Sequence, residues 1–96
     1  MITMETLKAR REEILVLARQ WGAHDVRVFG SVARGDAGPQ SDVDFLVHFE
    51  DGRSLLDHGG LLMDLQDLLG CEVDVVSEGG MRQRFRDRVM REAVPL

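Results

Sequence analysis

The chain has 96 residues, 44% of them hydrophobic and 30% charged, the composition of a single globular domain, which excludes disorder and a fibrous class and leaves no room for a second catalytic domain. Twelve basic against 17 acidic residues give a net charge of −5, which disfavours a long nucleic acid as partner because no excess of cations is available to neutralise its phosphates. Cys71 is the one cysteine, no apolar run approaches the length of a membrane span, and the opening MITMETLKARREE has no apolar signal core; these features predict a soluble protein of the reducing cytoplasm, with no membrane partner.

From Met4 to Trp21, Leu7, Ile14, Leu17, Ala18 and Trp21 recur at helical spacings, which predicts one amphipathic helix stopped by Gly22. Trp21 lies on its apolar stripe and reads as core packing, not as a platform for an adenine ring. Asp25 to Phe29 alternates Val26 and Val28 against Arg27 and Phe29, a first strand running directly into Gly30. Val32 to Gly35 predicts a short helix, and Asp36 to Ser41, DAGPQS, a turn. The second strand, Asp42 to Phe49, places Val43, Phe45 and Val47 on one face and Asp42, Asp44 and Leu46 on the other.

After a turn at EDGR, Ser54 and Asp57 read as the cap of a helix carrying Leu55, Leu62, Leu65 and Leu69 and ending at Gly70. Gly59 and Gly60 leave two possibilities, a helix that starts after them or a helix backbone packed closely at that point. Cys71 to Ser77 predicts a third strand with Asp74 facing opposite to Val73 and Val75. A last helix puts Met81, Phe85, Val89 and Ala93 on one face and Arg84, Arg88 and Arg91 on the other, a basic surface that either docks an acidic partner or is simply solvated. Pro95 confines any pairing of the final residues to a sheet edge. His24, His48 and His58 lack ligand spacing and read as surface groups or partners of carboxylates. The order of elements predicts an α/β (α+β) sandwich, a small mixed sheet packed with helices, as one domain over residues 1–96.

Within VFGSVARGDAGPQSDVDFLV, Gly30 and Ser31 are followed by ten residues and then by Asp42 and Asp44. A glycine at the end of a strand lets phosphate oxygens approach the backbone, where the following amides and the Ser31 hydroxyl can donate to them. Two aspartates at strand spacing leave the same face about 6.7 Å apart along the chain. Their repulsion, roughly 2.5 kcal/mol at an effective dielectric near 20, is reversed by a bound cation, which points to a divalent metal. Arg34 either adds charge at the phosphate or ties to Asp36 or Asp42. Asp74 is either a further ligand or a strand-edge acid exposed to water.

The Gly-Ser pair, the gap, the Asp-x-Asp, the Arg34-Gly35 extension and Asp74 in CEVDVV resemble the nucleotidyltransferase superfamily related to DNA polymerase beta, from about Asp25 to the C-terminus. The chain more closely resembles its minimal, antitoxin-type members paired with HEPN-domain toxins. The resemblance implies the polymerase-beta-like core without the helical substrate domain of larger relatives. It implies Asp42, Asp44 and Asp74 as catalytic residues and ligands of two Mg2+ ions, and Gly30, Ser31, Arg34 and Ser41 as nucleotide contacts. ATP would be the substrate, and a hydroxyl of the cognate HEPN toxin would accept AMP. Two alternatives remain: an antitoxin that masks its toxin by binding alone, and nucleotide transfer to a small molecule, for which so short a chain offers no second domain to enclose the acceptor.

Overall fold

Alternation along four strands decides which side of one mixed sheet faces inward. The computed structural model describes residues 1–96, with β1 (Ala23–Phe29), β2 (Val43–Phe49), β3 (Val73–Ser77) and β4 (Val94–Pro95) in the order β3-β2-β1-β4. β1 runs antiparallel to β2 and β4, and β2 runs parallel to β3. Val26, Val28, Val43, Phe45, Val47, Val73 and Val75 pack into one cluster, which α1 (Met4–Ala9), α2 (Arg11–Gln20), α3 (Gly30–Arg34) and α4 (Leu55–Leu69) complete with Leu7, Ile14, Ala18, Val32, Leu61 and Leu65. On the opposite face, α5 (Gln83–Glu92) sets Val89 against Phe29 and Leu46.

The first helix is not continuous. Arg10, at φ −110° and ψ 19°, ends α1 and begins α2. Its guanidinium donates to the Leu68 carbonyl at 2.8 Å and to Glu13 at 3.0 Å. The break therefore ties the N-terminal region to an otherwise unpartnered carbonyl near the C-terminal end of α4. Leu7 and Ile14 are fully buried on either side of it.

α4 runs through both glycines, opened by the expected capping box at Ser54 and Asp57. Gly60 is where its backbone meets Trp21, since a Cβ there would overlap the indole ring. The Trp21 Nε1–H donates to Asp64 at 2.7 Å, so this ring is packed and satisfied, as the core reading expects. Leu55 departs from its expected inward place and is 87% exposed, because the first turn of α4 precedes the point where Leu61 reaches the sheet.

α5 also departs from its expected stripe. Met81 lies before the helix and Ala93 after it, and both pack on the second cluster, whereas Phe85 is 40% exposed with the Arg88 guanidinium 5.8 Å from its ring centre. Phe29 and Leu46 are the only buried side chains this face offers, so burial of α5 is confined to Val89. The chain then pairs Val94 with Val28 at the sheet edge, where Pro95 is tolerated. Among the histidines, His24 and His48 approach Asp25 and Glu78 at 3.4 and 3.8 Å. His58 instead lies 2.6 Å from the Val75 carbonyl and stacks on Phe49, so its partner is backbone. No helix is long and apolar enough to cross a membrane.

Candidate active site

The site begins where β1 becomes α3. Phe29 is still extended, and Gly30 follows at φ +76°, a left-handed conformation that side chains disfavour. A Cβ on Gly30 would in addition run into the Asp44 carboxylate. The turn thus requires glycine, and any side chain there would also displace the Asp44 carboxylate.

Strand register brings the acids together. Phe29 is the cross-strand partner of Asp44, and Asp44 is the partner of Asp74 on the parallel neighbour. Residues two apart share a face, so Asp44 and Asp74 stand on the side that α5 covers, in line with Leu46 and Val76. Asp42 lies just before β2. Asp44 is half-buried, while Asp42 and Asp74 are exposed. Burial first, and then the negative charges of Asp74 and Asp42, push the Asp44 carboxyl up to about 6, with Arg34 opposing and Glu92 adding to the rise. No three acidic or histidine side chains close into a metal-ligating group in this conformation.

Of the remaining predicted contacts, Ser31 and Arg34 lie in α3, which Gly30 opens, and Ser41 lies in the turn that precedes β2. Ser31 is half-buried in the first turn of α3, whose end is set by Gly35 at φ +82°. Arg34 reaches Asp36 at 3.2 Å and Glu92 at 3.1 Å, which settles its two structural options in favour of Asp36, with Asp42 taking no part. The Ser41 hydroxyl accepts the Gly38 N–H at 2.8 Å and so holds the DAGPQS turn, while its own proton stays available. Glu92 is the residue that motif reading missed. Its Oε1 accepts the Gly30 N–H at 2.7 Å, inside the loop itself. The one signal in the sequence is an acid in the last turn of an otherwise arginine-rich helix, at the end where the dipole disfavours it.

The chain that carries this turn and these carboxylates has relatives of known class. A family model described as the nucleotidyltransferase domain matches residues 11–96. The chain belongs to the nucleotidyltransferase domain family. Protein adenylyltransferase MntA of Thermococcus cleftensis is 38% identical, over 98% of this chain and 96% of that protein. A solved structure described as a minimal nucleotidyltransferase superposes with a TM-score of 0.89 at 57% identity, covering 99% of this chain and 97% of the other. A toxin-antitoxin crystal structure with AMP-PNP shares the fold, with a TM-score of 0.76 at 22% identity, over 88% of this chain and 69% of that one. As a nucleotidyltransferase, the protein is an enzyme whose chemistry is displacement at phosphorus, which needs positioning and charge neutralisation more than covalent participation by side chains.

Proposed function

We propose that this nucleotidyltransferase moves AMP from ATP to a hydroxyl of a partner protein, a HEPN-domain toxin, with pyrophosphate leaving from the α-phosphorus, and so serves as the cytoplasmic antitoxin of the pair. The observation that carries the reading is the strand register that sets Asp44 beside Asp74 and against the Gly30 turn. The adenylyltransferase name of the Thermococcus relative, and the toxin-antitoxin assembly with AMP-PNP that shares this fold, support the donor and the kind of acceptor.

The donor set suits magnesium by its chemistry. Hard oxygen ligands are what that ion takes, and Asp44 is held up among like charges whose repulsion a divalent cation reverses. Asp42, Asp44 and Asp74 are the residues that would hold it. When bound, it would supply neutralisation of phosphate charge and acidification of the acceptor hydroxyl. The chain's own groups do the rest. Gly30 and Ser31 grip phosphate oxygens through an amide and a hydroxyl, Arg34 adds a guanidinium, and the free proton of the Ser41 hydroxyl offers a further donor. The Asp74 carboxylate accepts the proton of the attacking hydroxyl.

Co-expression with the HEPN partner followed by intact-mass measurement tests the reading. The partner should gain one or more adenylyl units with the wild-type protein and none with Asp42→Asn or Asp44→Asn. A partner that co-purifies unmodified with the wild-type protein would overturn transfer and leave neutralisation by binding.

A further inference from the structure

Glu92 closes α5 two residues before β4, in an electrostatically unfavourable place. A carboxylate in the last turn of a helix meets the negative end of the helix dipole, and this one also stands near enough to Asp44 to add to the negative field there. Two contacts hold it. Its Oε1 accepts the Gly30 N–H at 2.7 Å and an Arg34 Nη1–H at 3.1 Å. A backbone amide at a glycine turn and a guanidinium are the donors that bind phosphate oxygens.

The side chain is held there from both ends. Ala93 turns the chain out of the helix, Val94 pairs with Val28, and the Leu96 N–H donates to the Val26 carbonyl at 3.1 Å. Glu92 is therefore delivered to Gly30 by the edge strand that follows it. Only 25% of its side chain is exposed, against 50% of the Arg34 side chain that it meets.

We propose, resting on the nucleotidyltransferase reading above, that Glu92 is a resident competitor for the phosphate site, occupying the Gly30 amide and the Arg34 guanidinium until a nucleoside triphosphate displaces it. It sets the nucleotide concentration at which the enzyme loads. A donor pair that is free one-tenth of the time lowers apparent affinity about tenfold.

Calorimetric titration of the whole chain with ATP and magnesium tests this in the wild type, Glu92→Ala and Glu92→Gln. Glu92→Ala should bind about tenfold more tightly. Glu92→Gln should fall between it and the wild type, since an amide oxygen still accepts from Gly30 but carries no charge. Thermal melts establish that each variant is folded, and if Glu92→Ala is not, the near-isosteric Glu92→Gln decides alone. Unchanged or weaker binding in the folded variants would overturn the proposal and make Glu92 a prop for the loop. A wild-type protein and variants that all fail to bind ATP would overturn the nucleotide reading itself, a result distinct from binding that Glu92 does not alter.

Discussion

On one face of the sheet 14 side chains are buried in a continuous cluster reaching α1, α2 and α4, whereas on the other the buried set is Phe29, Leu46 and Val89. Both faces come from the same alternation in the same strands. In β2, Val43, Phe45 and Val47 turn to the large cluster while Asp44 and Leu46 turn away from it. The inward half of each strand supplies most of the burial, which frees the outward half to hold half-buried and exposed acids that no core tolerates. The face that carries the candidate site is therefore the weakly packed one, and its charge is a liability that the proposed function explains.

Substitutions should separate the two faces, and the largest effect belongs to the packed one. Phe45→Ala, at a side chain with no exposure, should lower unfolding stability by about 3 to 5 kcal/mol. Val89→Ala on the other face removes two methyl groups and should cost roughly 2 kcal/mol or less. Denaturant melts of the two variants side by side test this, and equal losses would erase the distinction.

Ser31→Ala sharpens the site's half of the comparison. It should weaken ATP binding by about 1 to 2 kcal/mol, the loss of one hydrogen bond to a charged group while the backbone donors remain. Calorimetry that finds an unchanged affinity would assign Ser31 to the turn alone.

The smallest effect is electrostatic and concerns the protein free of divalent cations. Asp44 has its carboxyl raised from 3.8 to about 6. Between those values the folded state binds more protons than the unfolded state, so stability falls as pH rises and the full penalty is present above about 6. Asp44→Asn should therefore stabilise the metal-free protein at neutral pH by on the order of 1 kcal/mol after screening of this half-exposed group. The gain should shrink as pH falls through that window and vanish below it. Melts in chelator across the range check the sign, and a variant less stable at neutral pH would contradict it.

How much of this was legible in the sequence follows from the range of each interaction. Gly30, Ser31, Asp42 and Asp44 sit in one segment, where strand alternation and a turn glycine suffice to place them. Asp74 was readable because a charge between Val73 and Val75 is conspicuous, although its pairing with Asp44 depends on a register between strands that α4 separates. Glu92 carried only the signal of an acid at the wrong end of its helix, and its place at Gly30 was not readable, because the two meet only after β4 returns along β1. The break at Arg10 answers to the Leu68 carbonyl 58 residues away. Phe85 matched the helical period of a buried position, but the short apolar area opposite α5 leaves it uncovered.

Asp74→Asn is the most direct test of the central claim, that acids on two neighbouring strands divide nucleotide holding from chemistry. ATP with magnesium should bind within about threefold of the wild-type affinity, a difference well under 1.4 kcal/mol, because Asp42, Asp44 and the Gly30 turn remain. Transfer to the co-expressed partner, followed by mass, should fall at least about a hundredfold, the lower range for loss of a positioned base. A partner modified at the wild-type rate would reduce Asp74 to a strand-edge acid and contradict the account.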